Sequence, residues 1–189
     1  MPFVKKVTWA SGIGPDGRRK LVPGTEPSMQ GTKACPSQEG ATNWMSRAYN
    51  PATGLFYVMA EENYNIWTKS SAWWEPGKSF YGGALHAVPG ESSEKFLRAL
   101  DLQTGKLVWE VPQTGTGLTW GGVLSTAGGV VFYGDDSGAL AAVDAKNGKP
   151  LWHFQTSQFW KASPMTFMLN GKQFVSVAAG TNILTFGLP

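Results

Sequence analysis

The sequence predicts an all-β fold, a partial β-propeller of about three blades of four-stranded antiparallel sheet, on three observations. First, the pattern A-x-D-x-x-x-G-K-x-x-W occurs at residues 99–109 and again, 43 residues later, at 142–152. Second, Gly171 follows Gly128 by the same 43 residues. Third, 24 Gly, 12 Pro and 9 Trp but only 15% charged residues are typical of strands joined by tight turns. A period of about 40 to 50 residues that carries strands indicates propeller blades.

The repeated motif has a structural interpretation that needs only its residue types. Its aspartate ends a strand, where the carboxylate can accept hydrogen bonds from backbone N–H groups two or three residues on, and its glycine supplies the positive φ of a tight hairpin. Its alanine lets neighbouring sheets approach, while its tryptophan buries a large ring at the seam between two blades. We therefore predict a structural role for both copies, Ala99, Asp101, Gly105, Trp109, Ala142, Asp144, Gly148 and Trp152.

The N-terminal residues resemble the end of a blade. Alternating residues predict a strand over 3–10, and the glycines and Asp-Gly pair of 12–18 predict a turn that leads into a second strand over 19–22. Residues 23–41 are predicted to be loop, because Pro and Gly interrupt any periodic pattern. We assign residues 1–35 to the tail of a preceding blade and its loop.

Three hairpins follow at similar spacing. Two strands joined by an Asn-Pro-x-x-Gly turn are predicted over 43–59, and similar pairs over 122–133 and 163–177. The aromatic-rich stretch 60–96 is far longer than an ordinary loop, and we interpret it as a packed Ω-loop in preference to a direct ligand contact. A last strand is predicted over 182–186. The predicted blades are 36–110 with the long insertion, 111–153, and an incomplete last blade at 154–189.

Composition excludes several classes of function. The net charge of +3 comes from 16 basic and 13 acidic residues without a dense basic run, which argues against nucleic acid as a partner. The single Cys35 cannot form an internal disulfide and lies near no paired base, and His86 and His153 lack ligand-like spacing. The sequence has no signal peptide and no apolar run long enough for a membrane span, so a native start at Met1 predicts a soluble cytosolic chain.

Further short motifs accompany the repeat in a fixed order. They are Cys35-Pro36, Asn43-Trp44, the A-Y-N-P-x-x-G-L of 48–55, Phe80-Tyr81-Gly82-Gly83 and Trp120-Gly121-Gly122. Over essentially the whole chain this set resembles the C-terminal third of pyrroloquinoline quinone (PQQ) dehydrogenases, the quinoprotein methanol and ethanol dehydrogenases. The resemblance implies an eight-bladed propeller that holds PQQ and a calcium or lanthanide ion, with the two motif copies as tryptophan-docking motifs.

The resemblance also implies a cofactor site. The positions matched by Asn43 and Trp120 lie at the edge of the quinone, and Gly121 and Gly122 would let the backbone pass close to it. An amide can donate to and accept from the carboxylates and carbonyls of PQQ, and an indole N–H donates only. The residues alone leave two structural alternatives open. In these, Asn43 caps a turn and Trp120 packs at another seam between blades.

The catalytic machinery of such enzymes has no matching positions here. In the family, the general-base Asp, the metal ligands, the cation beside the quinone and the stacking Trp come from earlier blades. We therefore predict no catalytic residue and no metal ligand in this chain, and no alcohol oxidation by this chain alone. The family implies a periplasmic location and a cytochrome c electron acceptor for the complete enzyme.

These observations predict one function and leave two alternatives. The prediction is the C-terminal fragment of a PQQ-dependent dehydrogenase that oxidises a primary alcohol to an aldehyde by hydride transfer to PQQ, with the remaining propeller blades as partner. The first alternative is a non-catalytic propeller scaffold for protein contacts, similar to outer-membrane assembly lipoproteins that share the tryptophan repeats. The second is a partial propeller completed by other copies of the chain.

Overall fold

A computed structural model describes residues 3–91, 93–117 and 120–187, and this part of the chain consists of strands, turns and bends without a helix. None of it is therefore a helix that could cross a membrane. The strands are β1 (Ala10–Ile13), β2 (Arg19–Leu21), β3 (Thr32–Ala34), β4 (Ala48–Asn50), β5 (Leu55–Glu61), β6 (Asn65–Lys69), β7 (Gly83–Ala87), β8 (Lys95–Asp101), β9 (Leu107–Pro112), β10 (Val123–Ser125), β11 (Val130–Gly134), β12 (Ala139–Asp144), β13 (Pro150–Gln155), β14 (Met165–Leu169), β15 (Lys172–Ala179) and β16 (Asn182–Gly187). The prediction of an all-β fold is confirmed.

The chain divides into two compact units. The larger unit comprises Met1–Phe3, Thr42–Ala60 and Lys95–Pro189. It holds three antiparallel sheets, called here the first, second and third sheet, with strand orders β4-β5-β8-β9, β10-β11-β12-β13 and β14-β15-β16. The first two sheets have the four strands expected of a blade, and the third has three strands among the described residues.

Apolar residues from the middle strands form the core of the larger unit. One cluster joins the first and second sheets: Met45, Leu55, Tyr57, Met59, Leu97, Ala99, Val123, Val131, Tyr133, Val143 and Ala145 are all buried. A second cluster joins the second and third sheets through Leu140, Trp160, Val177 and Ala179. Because the faces of consecutive sheets share these clusters, burial of apolar surface holds the sheets against each other.

The same turn joins β8 to β9 and β12 to β13. Asp101 Oδ1 accepts hydrogen bonds from the backbone N and Oγ1 of Thr104 at 2.7 and 2.8 Å. Asp144 Oδ1 accepts from the amides of the second and third residues after it, at 2.8 and 3.2 Å. The two turn glycines, Gly105 and Gly148, have φ values of 68° and 71°, which a side chain would strain. The hydrogen bonds from Thr104 also hold the pKa of the Asp101 carboxyl below its ordinary value.

The smaller unit comprises Val4–Ala41 and Glu61–Glu94. It contains a two-stranded sheet, β1-β2, and a three-stranded sheet of order β3-β6-β7. Strands β5 and β8, which precede and follow this second segment in the chain, are neighbours in the first sheet of the larger unit. The predicted blade boundaries at residues 36, 111 and 154 stay a prediction.

Two local predictions for residues 3–41 were wrong. The strand predicted over 3–10 is absent, because Thr8 N donates to the carbonyl of Cys35 rather than into a ladder, and β1 begins only at Ala10. The predicted loop 23–41 contains β3, whose Thr32 pairs with Trp67. This short strand forms by pairing with residues distant in the sequence, and the Gly- and Pro-rich residues around it show no strand pattern.

The stretch 60–96 is not a packed Ω-loop. It contains β6 and β7, which pair from Asn65 opposite Ala87 to Lys69 opposite Gly83. The residues between the two strands carry exposed rings, with Trp73 90% and Tyr81 88% exposed. The aromatic content of this stretch therefore did not indicate burial.

Candidate functional site

The segment between residues 43 and 47 is anchored on one side and open on the other. Met45 is 3% exposed in the core of the larger unit, and the carbonyl of Ser46 accepts a hydrogen bond from Val123 N at 2.9 Å. Arg47 Nη2 donates to the carbonyl of Asn43 at 3.0 Å, which closes the bend. The anchors leave Trp44 61% exposed and the side chain of Asn43 half-buried.

The segment that begins at Trp120 is fixed by its backbone. Trp120 N donates to the carbonyl of Trp160 at 2.8 Å, and Trp160 is fully buried between the second and third sheets. Gly121 and Gly122, which follow, are buried. The indole of Trp120 is thus held at the edge of a buried framework and is partly exposed.

The two segments meet through their tryptophans. The rings of Trp44 and Trp120 lie 5.1 Å apart at an interplanar angle of 85°, an edge-to-face contact. Lys161 Nζ lies 5.3 Å from the centre of the Trp120 ring, within the range of a cation–π interaction. The structure therefore places the predicted Trp120 against the residue that follows the predicted Asn43 in the chain.

The structure gives Gly122 a packing role inside the chain itself. Ser46 Oγ donates to Ser163 Oγ at 2.7 Å, and a Cβ on Gly122 would overlap both hydroxyl oxygens. A Cβ on Gly121 would lie 3.0 Å from the carbonyl oxygen of Ala162, a tight contact. Close approach of neighbouring segments is sufficient reason for glycine at these positions.

Three side chains of this surface were not among the predicted site residues. Trp44 was part of a recognised dipeptide, yet nothing in the sequence distinguished its ring from a core ring. Arg47 and Lys161 belong to different segments, and only the fold brings both cations to the surface that carries Asn43 and Trp120. No spacing between residues indicated that Arg47 and Lys161 would lie on one surface.

Chemically, the surface suits a flat, anionic ligand. Arg47 and Lys161 supply positive charge, the Asn43 amide can donate and accept, and indole rings supply flat faces. Aromatic rings stack with other planar groups, and nearby cations attract anionic ones.

The tryptophans of the two motif copies lie opposite the alanines of the same motif, Ala99 opposite Trp109 and Ala142 opposite Trp152. Trp109 Nε1 donates to the carbonyl of Ala145, in the turn that follows β12 of the second sheet, at 3.2 Å. Trp152 instead packs edge-on against Phe186 of the third sheet, at 5.3 Å between ring centres. Each tryptophan thus contacts the next sheet along the chain.

Cys35 is a packed thiol. The side chain is fully buried and free, and burial raises the pKa of the Cys35 thiol to about 11. A thiol with a raised pKa holds its proton near neutral pH and is a poor nucleophile.

The comparisons with known proteins agree on one family. A family model for the β-propeller domain of PQQ glucose/ethanol/alcohol dehydrogenases matches residues 111–175. The quinoprotein alcohol dehydrogenase PedH of Pseudomonas putida is 40% identical over 188 residues, 95% of this chain and 31% of PedH. The lanthanide-dependent methanol dehydrogenase of Methylorubrum extorquens is 37% identical over 150 residues, 77% of this chain and 24% of that enzyme.

Solved structures agree with the sequences. The quinohemoprotein alcohol dehydrogenase of Comamonas testosteroni superposes with a TM-score of 0.84 and 32% identity, over 97% of this chain and 28% of that one. This chain belongs to the PQQ-dependent quinoprotein alcohol dehydrogenase family. A europium-containing methanol dehydrogenase gives a TM-score of 0.80 at 31% identity, over 93% of this chain and 31% of that one. The predicted fold, a partial β-propeller, is confirmed, and the chain spans about a third or less of the length of these relatives.

The residues on the candidate site fit a quinoprotein cofactor. PQQ is a planar tricarboxylate, and the surface offers two cations, Arg47 and Lys161, beside an amide and an exposed indole face. No group of three or more His, Cys, Asp or Glu side chains suited to a metal ion occurs in residues 3–91, 93–117 and 120–187. The positive charges of Arg47 and Lys161 and the Asn43 amide fit the anionic rim of the cofactor.

Proposed function

We propose that this chain is part of a PQQ-dependent dehydrogenase that oxidises a primary alcohol to an aldehyde. The observation that carries the proposal is the contact of Trp120 with Trp44 and Lys161 beside Asn43, in a chain 40% identical to a quinoprotein alcohol dehydrogenase. PQQ, when bound, accepts the hydride of the alcohol. The chain's own residues bind and orient the cofactor.

Each residue of the site has a distinct proposed role. The Asn43 amide can donate to a carboxylate and accept from a hydroxyl, so it fixes orientation as well as position. The Trp120 indole N–H donates only and suits an anionic oxygen. Gly121 and Gly122 keep the backbone close to the cofactor rim, and Lys161 adds a positive charge over the Trp120 ring.

Other parts of the proposal concern the whole protein. We assign the catalytic base and the ligands of a calcium or lanthanide ion to residues outside this chain; one relative is named a lanthanide-dependent methanol dehydrogenase and one structure contains europium. We further propose a periplasmic location and a cytochrome c electron acceptor. The two repeated motifs act as tryptophan-docking motifs, since Trp109 bonds across a seam between sheets.

A chimaera tests the proposal directly. Residues 1–189 replace the matching segment of PedH, and PQQ retained after dialysis is measured by absorbance together with ethanol-dependent dye reduction. We expect the chimaera to retain PQQ and to reduce the dye. A chimaera that folds with the circular dichroism of PedH but retains no PQQ contradicts the proposal.

Substitutions in the chimaera test the site. We expect Asn43→Ala and Trp120→Ala each to weaken PQQ binding about tenfold, which corresponds to the loss of one good polar contact. Trp74→Ala, in an exposed part of the smaller unit, is the matched control and leaves PQQ affinity unchanged. Equal affinity in all three variants would show that the cofactor does not contact Asn43 or Trp120.

A further inference from the structure

The connection between the first and second sheets is long. β9 ends at Pro112 and β10 begins at Val123, so the ten residues 113–122 separate the two strands. Connections in compact domains are usually about 4 to 6 residues long. This connection carries Trp120, the ring that the proposed function places at the cofactor. The contacts that fix the path of the connection therefore also fix the position of the ring.

The turn between β11 and β12 lies beside this connection and is held by its own hydrogen bonds. Asp135 N donates to the carbonyl of Ala139 at 2.8 Å, and the Asp135 carbonyl accepts from Gly138 N at 2.9 Å. Asp135 Oδ1 accepts from Ser137 N at 2.7 Å. Asp135 and the next residue, Asp136, are 6% and 9% exposed. These bonds fix the oxygens of the turn at defined positions in a buried place.

Side-chain hydrogen bonds attach the first residues of the connection to this turn. Thr114 Oγ1 donates to Asp135 Oδ1 at 3.0 Å, and Thr114 N donates to Asp135 Oδ2 at 3.4 Å. Asp136 N donates to Gln113 Oε1 at 3.2 Å. Hydrogen bonds to an ionised carboxylate are stronger than those between neutral groups. The Asp135 carboxylate therefore holds both the backbone and the side chain of Thr114.

Two glycines of the connection lie directly against Asp136. Gly117 N donates to the carbonyl of Asp136 at 3.0 Å, and a Cβ on Gly117 would overlap this carbonyl oxygen. A Cβ on Gly115 would lie 2.7 Å from the same oxygen, and the φ of Gly115 is 94°. Side chains are strained at such a φ. Glycine at both positions therefore allows the connection to lie on the turn.

The end of β11 also reaches Trp120 by a second route. Gly134, the last residue of β11, lies against Trp160, because a Cβ on Gly134 would overlap the Cβ and Cγ of this tryptophan. The carbonyl of Trp160 accepts the hydrogen bond of Trp120 N at 2.8 Å. Residues 134–136 thus contact the segment of Trp120 through Gly117, which precedes it, and through Trp160, which is bonded to it.

Lys95 of β8 contacts both the connection and the turn. Its carbonyl accepts a hydrogen bond from Gln113 N at 2.9 Å. Its ammonium nitrogen lies 3.4 Å from Asp136 Oδ2, and both side chains are less than a tenth exposed. The first sheet therefore holds the turn and the beginning of the connection in one place.

We propose that Asp135 and Asp136 are positioning residues for the Trp120 ring, an inference that rests on the proposed function. Asp135 holds Thr114 through its carboxylate. Asp136 holds Gly117 through its backbone carbonyl. Together they fix the path of the connection into the cofactor site. A side chain that is already in place binds its ligand without the entropic cost of ordering a loop.

The first experiment follows the Trp120 ring in the full chain without cofactor. In ¹⁵N-labelled protein, the indole N–H signal of Trp120 is the one that is absent from Trp120→Phe. Thr114→Val removes the hydroxyl that donates to Asp135 and keeps the shape of the side chain. We expect it to shift the Trp120 signal. Thr114→Ser retains the hydroxyl and should leave the signal at its wild-type position.

A matched control removes the same kind of bond at the other end of β9. Thr104 Oγ1 donates to Asp101 Oδ1 at 2.8 Å, so Thr104→Val also breaks a hydrogen bond from threonine to aspartate. We expect no shift of the Trp120 signal in this variant. Gly117→Ala, whose Cβ overlaps the turn, should shift the signal. The dispersion of the other signals shows that each variant is folded.

The second experiment measures PQQ affinity in the chimaera with PedH, by titration of the PQQ-free protein followed by absorbance. We expect Thr114→Val to weaken PQQ binding about threefold and Gly117→Ala about tenfold. Thr114→Ser and Thr104→Val should bind PQQ as the unsubstituted chimaera does. Rescue by serine shows that the hydroxyl, and not the change of residue, is responsible.

Two outcomes would overturn the proposal. One is an unchanged Trp120 signal in folded Thr114→Val and Gly117→Ala, since the ring would then keep its position without the turn. The other is a shifted signal with unchanged PQQ affinity in these variants, in a chimaera whose affinity Trp120→Ala does weaken. If Trp120→Ala itself has no effect on PQQ affinity, the proposed function is contradicted instead, and the signal in the cofactor-free chain still decides whether the turn positions the ring.

Discussion

Trp109 and Tyr57 donate hydrogen bonds to the same carbonyl oxygen, that of Ala145. Trp109 Nε1 lies 3.2 Å and Tyr57 Oη 2.9 Å from it, and the two rings lie 5.7 Å apart. A carbonyl oxygen has two lone pairs, so a single buried acceptor in the turn after β12 satisfies two donors of the first sheet. Directional hydrogen bonds therefore hold this seam together in addition to the packing of apolar side chains.

Replacement of the seam tryptophan tests this arrangement. We expect Trp109→Phe to lower the free energy of unfolding by about 1 to 2 kcal/mol, through one lost hydrogen bond and a smaller ring. Trp152→Phe is the matched control and should cost less than about 0.5 kcal/mol, because Trp152 is 42% exposed. Urea unfolding followed by circular dichroism measures both. Equal losses would mean that the hydrogen bond to Ala145 contributes nothing.

Gly122 offers a test of close packing at the candidate site. A Cβ here would overlap the hydroxyls of Ser46 and Ser163, so we expect Gly122→Ala to lower the free energy of unfolding by about 2 kcal/mol. Combining it with Ser46→Ala and Ser163→Ala should recover about half of that loss, since the backbone N of Ser46 stays close. Gly128→Ala, whose Cβ would meet nothing closer than 3.9 Å, should be nearly neutral.

The sequence predicted the larger unit well because its signals are local. An Asp and a Gly at fixed spacing define the turn of each complete sheet, and the alternation on each side defines the strands. In the smaller unit the signals are not local. β3 forms only because Thr32 meets Trp67, 35 residues away, and a three-residue strand among Gly and Pro carries no period of its own.

Only those residues of the site that belong to short sequence motifs could be predicted. Asn43 and Trp120 belong to short patterns that can be recognised one at a time. Lys161 carries no pattern, and it reaches the Trp120 ring because Trp160 is buried and its carbonyl is bonded to Trp120 N. A contact that depends on how a buried neighbour packs cannot be read from spacing.

Substitution of Lys161 tests whether positive charge at the candidate site contributes to PQQ binding. We expect Lys161→Gln in the PedH chimaera to weaken PQQ binding about threefold to tenfold, because a positive charge near an anionic cofactor is lost. Lys161→Arg should retain the affinity, and the salt dependence of binding should decrease only in the Gln variant. Lys149→Gln, exposed on a turn, removes the same charge elsewhere. An equal effect of Lys149→Gln would show that PQQ affinity depends on the net charge of the chain and not on the position of Lys161.

Cys35 gives a prediction for the dependence of stability on pH. Burial raises the pKa of the thiol from 9.0 to about 11, so between these values the folded chain keeps a proton that the unfolded chain releases. The stabilisation is complete below pH 9 and is lost as the pH rises towards 11. Two pKa units amount to at most about 3 kcal/mol. Urea unfolding over this range should show a smaller fall in stability for Cys35→Ala than for the wild type, and parallel profiles would contradict the assignment.

The ion pair of Lys95 and Asp136 tests how the larger unit tolerates buried charge. Both side chains are less than a tenth exposed and lie 3.4 Å apart, so Lys95→Met removes this positive charge from beside a buried carboxylate. We expect a loss of about 3 kcal/mol in urea unfolding, and partial recovery when Asp136→Asn removes the remaining charge. Lys6→Met breaks a half-exposed pair with Glu94 and should cost less than about 1 kcal/mol. If Lys95→Met costs no more than Lys6→Met, water reaches Asp136 and the pair is not buried in solution.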